Sequence, residues 1–314
     1  MSKLVITGSS MGLLQTCAEN YRLRYIEKLE AIDRPAYFTL GSAFHSAVEE
    51  FRRGGTLGDM MTAGMDPDLT KDDVCKLQAM VEAYYRKYQH EAGLFDSVEE
   101  EFEEMLDHDV SLCGVIDAAK AGVIIRDGAK DYSVIYETKT VGRIDSTYLE
   151  RLWQARQTLI YCAVMEVNTV IYDLVEKPSI RRYKATPMEK RKYVMDLDGS
   201  QRLNARQRDR DETDAEYVTR LREWYVNHPK ALHREEIVYS DRQIQAIWDD
   251  VRAEVKRLQW HIKEDVWPRS LNSCFRYSRP CEFAPLCGGG HSKLVLDTHY
   301  QKKEKSHSEL QGGE

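Results

Sequence analysis

The sequence predicts a mixed α/β (α+β) fold, with a mixed central sheet flanked by helices. Three observations predict it. Apolar residues before residue 95 recur at helical spacing. At about residue 97 the pattern changes to short β-rich runs. An amphipathic helix then returns at 145–166 and is followed by a further strand. With 314 residues, 42% of them hydrophobic, the chain can build one large domain or two smaller ones around a real core.

Residues 9 to about 30 read as a helix with Leu13, Leu14, Cys17, Tyr21, Leu23 and Tyr25 turned inward and Ser9 or Ser10 as its cap. A second helix covers 40–53, contains Phe44, His45, Val48 and Phe51, and is stopped by Gly54-Gly55. Residues 56–70 read as loop and 71–90 as helix. Val98, Phe102, Val110, Val115 and Ile116 begin a strand meander, with Val123-Ile124-Ile125 as one strand and Val134-Ile135-Tyr136 as the next. Leu149, Leu152, Trp153, Leu159 and Ile160 mark the helix at 145–166. Val170-Ile171-Tyr172 and Leu174-Val175 form a strand that ends near Pro178. Residues 187–265 are charged and read as mostly helical. Residues 288–314, rich in Gly, Lys and Ser, read as a disordered tail. No internal repeat is present.

The formal net charge of −7 excludes a protein that coats nucleic acid, but not an enzyme that engages DNA locally. Acidic clusters at Glu99–Glu104 and Asp209–Asp214 offset basic residues elsewhere. No apolar run reaches membrane-spanning length, and the apolar part of the N-terminus is too short for a signal peptide, so no membrane association and a cytoplasmic location are expected. Seven cysteines in such a chain point to metal binding or catalysis before disulfides.

The run Ile135-Tyr136-Glu137-Thr138-Lys139-Thr140 carries the most chemistry. Side chains two apart on a strand share a face, so Glu137 and Lys139 lie together with Thr138 opposite. Asp117, in Gly114-Val115-Ile116-Asp117, ends an earlier apolar run. If the strands pair, two carboxylates and an ammonium meet, which suits metal-assisted phosphodiester hydrolysis. A solvated strand face is the plainer reading of the triplet alone.

The order of motifs adds to it. Gly41-x-x-x-His45, Gly114-x-x-Asp117, Glu137-x-Lys139-Thr140 and Gln157-x-x-x-Tyr161 follow one another along the chain. This set resembles the RecB-like branch of the PD-(D/E)xK nuclease superfamily, which includes AddB-type nuclease domains and CRISPR-associated and phage exonucleases. The resemblance spans about residues 9 to 287. It implies a restriction-endonuclease-like fold and a metal-dependent DNA exonuclease, acting in phage or mobile-element recombination and repair or in CRISPR-type DNA processing. It makes Asp117 and Glu137 the main Mg²⁺ or Mn²⁺ ligands, with His45 and the Thr138 carbonyl as further ones. Lys139 would position or activate the water, and Gln157 and Tyr161 would line the site and touch the DNA backbone. Many relatives carry Asp where Glu137 stands, and the pattern allows both. Taken singly, His45 reads as a core or surface histidine, Tyr161 as core and Gln157 as helix surface.

Cys17 together with Cys274, Cys281 and Cys287 resembles the iron–sulfur staple of the same branch. That resemblance implies a [4Fe-4S] cluster joining the N- and C-terminal helical segments, with a four-cysteine zinc site as the chemical alternative. The six residues between Cys274 and Cys281 depart from the Cys-x-x-Cys of many relatives. Cys75, Cys113 and Cys162 read as small buried hydrophobes. On this reading residues 1–287 form one nuclease domain: helical to about 95, a catalytic sheet core over about 96–186, and a helical, cluster-binding part over about 187–287.

DNA, single-stranded or an end-containing duplex, is the implied partner. The segment 181–210, with Arg181, Arg182, Lys184, Lys190, Arg191, Lys192, Arg202, Arg206, Arg208 and Arg210, is either a path for its phosphates or a solvated surface. Trp224, Tyr225, Trp248, Trp260 and Trp267 either stack on bases or pack in the core. No Gly-x-x-x-x-Gly-Lys-Ser/Thr occurs, so any motor is a separate helicase or recombination protein. Three other functions stay open: a catalytically silent nucleic-acid-binding scaffold with the same cluster, a structure-specific endonuclease, and a metal-dependent hydrolase of another substrate.

Overall fold

The structure, a computed structural model, describes residues 4–32, 37–123, 132–276, 279–304, 307 and 310. It begins with strand β1 (Leu4–Ile6) and helices α1 (Gly8–Thr16) and α2 (Ala18–Tyr21), which runs into a π-helical turn at Arg22–Ile26. The single helix expected over 9–30 is therefore broken. Cys17 is extended (φ −165°, ψ 112°), which turns its thiol out of the helical path. The cap is Thr7, not Ser9 or Ser10. Its hydroxyl accepts from Ser10 N at 3.1 Å while Ser10 Oγ accepts from Thr7 N at 2.9 Å. Strand β2 (Leu29–Ala31) follows, then α3 (Tyr37–Arg52), ended at Gly54 with φ +96°. The expected loop at 56–70 contains helix α4 (Leu57–Ala63), because Thr56 and Asp59 form a reciprocal cap that outweighs the glycines around it. Helix α5 (Lys71–Tyr88) completes the helical first third.

Three long strands come next: β3 (Ser97–Asp107), β4 (Val110–Val123) and β5 (Tyr132–Val141). The strand expected at Val123-Ile124-Ile125 is not separate from the one before it. Val123 ends β4, while Ile124 and Ile125 lie outside the described residues. The helix expected at 145–166 is two, α6 (Ser146–Leu152) and α7 (Arg156–Val164). Strand β6 (Thr169–Glu176) ends just before Pro178.

The charged region is less helical than expected. It holds a small hairpin, β7 (Tyr193–Met195) with β8 (Gln201–Leu203), then α8 (Asp214–Asn227), strand β9 (Leu232–Val238) and α9 (Asp241–Glu264). The two-residue strands β10 (Phe275–Arg276) and β11 (Arg279–Pro280) precede α10 (Ala284–Gly288). The expected disordered tail is corrected over 293–302, which forms α11 (Lys293–His299) and β12 (Tyr300–Lys302). β12 pairs antiparallel with β2, and Tyr300 is buried against Phe283.

The central sheet is mixed, as expected from the alternation of helices and strands. β5 and β6 run parallel, while β4–β5 and β6–β9 run antiparallel. β3 covers one edge of β4 from Val110 to Ala119. The opposite edge is shared by β1, parallel over Val110–Leu112, and by β5, antiparallel from Ala118 onward. Helices cover both faces. α1, α7 and α9 pack with Ile135, Val170, Tyr172 and Ile237 on one face; α3, α5 and α8 pack with Val175 and Leu232 on the other. No helix among the described residues is long and apolar enough to cross a membrane.

The second face carries a row of buried polar groups. Thr138, Asp173 and Arg234 are cross-strand neighbours in β5, β6 and β9. Asp173, fully buried, accepts from Tyr84 Oη at 2.9 Å and from Arg52 Nη2 at 3.4 Å, and pairs with Arg234. Asp173→Ala leaves two guanidinium groups short of a counter-ion and should cost about 3–5 kcal/mol of stability. Urea unfolding with Asp173→Asn alongside checks it; a loss below about 1 kcal/mol would show that the network is not the tie between these helices and the sheet.

Candidate metal and phosphodiester site

The site forms where two strands part. The last antiparallel pair between β4 and β5 before the fork is Ala118↔Tyr136. Asp117 and Glu137 are the next residues on each strand and are no longer paired. At the same point β4 changes faces: Ile116 packs in the first core and Ala118 with Val134 and Tyr136 in another. A regular strand would put both on one side.

Thr138 N donates to Asp117 Oδ2 at 2.7 Å, so a side chain takes the place of a ladder partner. The same oxygen lies 2.8 Å from His45 Nε2 on α3. Arg52, two helical turns further along α3 and only 1% exposed, donates to Thr138 Oγ1 at 2.8 Å, and its Nη1 lies 3.8 Å from Asp117. Lys139 pairs with Glu137 and also donates to Gln157 Oε1 at 3.3 Å. Gln157 Nε2 in turn donates to Tyr161 Oη at 2.7 Å. The structure thus brings these residues into two contact sets, His45–Asp117–Thr138 and Glu137–Lys139–Gln157–Tyr161, which meet along Glu137-Thr138-Lys139.

The charges are uneven. Burial raises the Asp117 carboxyl, but the His45 hydrogen bond, His45 and Arg52 together hold it below the ordinary carboxylate range. Burial and the Asp117 charge push Glu137 up despite Lys139. Burial disfavours the His45 cation, yet Asp117 and Glu99 leave the ring above its ordinary value. Burial and Asp117 push Glu99 up to about 7. Two buried carboxylate oxygens, Glu137 Oε2 and Glu99 Oε1, have no hydrogen-bond partner. Such oxygens are costly to bury and suit a hard divalent cation.

Sequence reasoning passed over Glu99 and Arg52. His45, Glu99 and Asp117 offer ligand atoms all within 4.8 Å of one another. Glu99 has a left-handed backbone (φ +52°), a signal that no sequence pattern carries.

The cysteines divide as follows. Cys75, Cys113 and Cys162 are buried. Cys17, Cys274, Cys281 and Cys287 are half-buried, and among the described residues no three cysteine sulfurs lie within 4.8 Å of one another. The segments that carry the four do meet. Ser273 Oγ donates to Thr16 O at 3.0 Å, Asn20 Nδ2 lies 3.2 Å from Cys281 Sγ, and Cys281 N donates to Cys274 O at 2.7 Å.

Much of the 181–210 segment is already paired. Arg182 binds Asp72 and Asp214, Lys184 binds Asp211, Arg202 binds Asp196, and Arg210 binds Glu216. Several aromatic candidates are engaged as well. Tyr225 is buried and bonds Glu176 O, Trp224 stacks on His228, and Trp267 stacks on Tyr21 and His261. Trp248 packs against the core, and Trp260 is about half exposed.

A sequence profile of the PD-(D/E)XK nuclease superfamily matches residues 6–288. No curated protein matches the chain.

Gly114 shows how tightly the site is packed. A Cβ there would lie 2.6 Å from Phe102 Cε1 and 3.2 Å from Tyr161 Cε1. Gly114→Ala should cost about 1–3 kcal/mol by overpacking and displace Tyr161 from Gln157. Urea unfolding and near-ultraviolet circular dichroism of the tyrosines check it; an unchanged midpoint and spectrum would refute it.

Proposed function

Because the chain belongs to the PD-(D/E)XK nuclease superfamily, a class of metal-dependent nucleases, we propose that it is a DNA exonuclease of the RecB-like kind. The observation that carries this reading is the fork itself: Asp117 tied to His45 and Thr138, beside the Glu137–Lys139 pair.

Asp117 and Glu137, with His45 and the Thr138 carbonyl, are the proposed ligands of Mg²⁺ or Mn²⁺. The donors fit such an ion: hard oxygens, one imidazole, and a buried Glu137 Oε2 that no protein group satisfies. A divalent cation bound there would supply a nucleophile at neutral pH and offset charge on the phosphate. Lys139, held between Glu137 and Gln157, orients the attacking water and stabilises the charge that grows on phosphate oxygen. Gln157 and Tyr161 are the proposed contacts to the DNA backbone, as neutral polar groups that hold the strand without sequence preference. The substrate is DNA with a free end, processed in phage or mobile-element recombination and repair or in CRISPR-type DNA processing, in the cytoplasm. A separate helicase or recombination protein supplies any unwinding.

The test uses Mn²⁺ with end-labelled linear, end-blocked and circular DNA, single- and double-stranded. Linear DNA should be degraded from its ends and circles spared. Glu137→Ala and Lys139→Ala should each slow cleavage by about 10²-fold or more, and chelation should abolish it. Equal activity in wild type and both variants would sink the assignment. Cleaved circles would make the protein an endonuclease, and an inert wild type that binds DNA would make it a scaffold.

We also propose that Cys17, Cys274, Cys281 and Cys287 hold a [4Fe-4S] cluster. Zinc bound by four thiolates needs sulfurs about 3.8 Å apart. What supports the reading is that the segments carrying the four cysteines meet, and that Cys281 and Cys287 each feel the charge of Cys17. An anaerobic preparation should absorb broadly near about 400 nm, and Cys281→Ala should lose the band. A colourless protein that contains zinc would overturn the proposal.

A further inference from the structure

Two residues of the ordered motifs, Gly41 and Thr140, take no part in the chemistry described above. We propose that they form, with Lys177, a seat for a phosphate of the nucleic-acid strand, one nucleotide along from the phosphate being cut. The inference rests on the nuclease reading above and adds a strand-holding site to it.

The strand register carries the first part of the argument. Thr140 pairs with Val175, and Lys177 N donates to Val141 O at 2.8 Å, just past the last pair of β5 and β6. Side chains two apart on a strand share a face. Thr140, Val175 and Lys177 therefore lie on the face of Thr138 and Asp173, which α3 covers. Gly41 is the α3 residue that meets them. A Cβ on it would lie 3.1 Å from Thr140 Oγ1 and 3.5 Å from Lys177 Nζ. Glycine inside a helix costs about 1 kcal/mol relative to alanine. Here it lets the helix come down on a hydroxyl and an ammonium that a methyl group would crowd. Gly41 stands four residues before His45, so the two share a face of α3 about 5–6 Å apart. That spacing is comparable with the step between successive phosphates of an extended strand.

The second part is charge. Lys177 is half-buried where β6 ends. Burial lowers its ammonium below the ordinary lysine value; the Asp73 charge works against this and the Lys76 charge with it. Asp73 is itself engaged, accepting from Thr70 Oγ1 at 2.6 Å and lying 3.5 Å from Lys76. Two ammonium groups thus share the field of one carboxylate, and an anion brought to Lys177 relieves the excess. Thr140 sets a neutral hydroxyl beside that ammonium, both against Gly41. An ammonium and a hydroxyl together suit the oxygens of a phosphate. Phosphate contacts of this kind position a strand and read no base, so the seat accepts any sequence.

The experiment is binding of an end-labelled single-stranded DNA oligonucleotide to the full chain, with a chelator present so that nothing is cut, followed by fluorescence anisotropy over a series of salt concentrations. Lys177→Gln, which keeps the length of the side chain and removes its charge, should weaken binding by about ten-fold and make the slope of log K against log salt shallower by about 0.7, the share of one phosphate contact on a single strand. Lys177→Arg should keep the slope. Thr140→Val should weaken binding by about three- to ten-fold at an unchanged slope, because a hydroxyl displaces no counter-ion. Lys263→Ala, which removes a largely exposed lysine of α9, should leave the slope unchanged. A slope that Lys177→Gln leaves unchanged, or that Lys263→Ala lowers as much, would overturn this proposal, and wild-type cleavage of DNA would then leave the nuclease reading standing. A wild type that neither binds nor cleaves DNA would overturn both.

Discussion

One hydrogen bond standing in for a missing rung of the sheet holds the site together. β4 and β5 pair as far as Ala118 and Tyr136, and then part. Beyond that point the Thr138 N–H meets the Asp117 carboxylate at 2.7 Å in place of a strand carbonyl. A buried N–H needs an acceptor, and here a charged one fills the role. The bond fixes the acid at the mouth of the fork, within reach of α3 on one side and of Glu137 on the other. If the strands stayed paired, the Thr138 N–H would bond a strand carbonyl and Asp117 would lose this anchor.

The two faces of β5 handle charge in opposite ways. On the Thr138 side, Arg52, Asp173, Arg234 and Tyr84 satisfy one another in the interior. Buried ion pairs of this kind add little net stability but penalise any arrangement that breaks them. On the Glu137 side the set is incomplete, and a carboxylate oxygen lacks a partner beside a half-buried lysine. Arg52 links the two. It is a permanent cation behind Asp117 and, after His45, helps hold that carboxyl below its ordinary range.

How much was legible in the sequence follows from where each residue's meaning lies. His45, Asp117, Glu137, Lys139, Gln157 and Tyr161 sit in short motifs that the family resemblance groups into one site, and the structure brings them near one another. The mixed sheet was legible from the switch of apolar period near residue 97. Glu99 was not, because within the acidic run Glu99–Glu104 it reads as one solvated charge among several; only register and a positive φ set it apart. Arg52 and Asp173 belong to no sequence motif, and their burial arises only where α3 and α5 meet β6. Strand β9, Leu-His-Arg-Glu-Glu-Ile-Val, reads as helix because its two buried apolar residues, Leu232 and Ile237, lie on opposite faces and leave no alternation among the charges. The break at Cys17 and the cap at α4 turn on backbone angles and a reciprocal side-chain bond, which the apolar pattern does not encode.

The pairing of β2 with β12 also orders events in time. Ala31 finds its partner in Tyr300, nearly at the other end of the chain. On a ribosome that adds about 5–20 residues per second, the first strand waits roughly fifteen seconds to a minute for the second to emerge. Cys17 likewise precedes Cys274, Cys281 and Cys287 by most of the synthesis. The central sheet, whose strands all lie before residue 239, can collapse in that interval. The clasp then closes over a core already formed, so a nascent chain arrested before residue 300 exposes an unpaired β2 edge while the fork at Asp117 and Glu137 is complete.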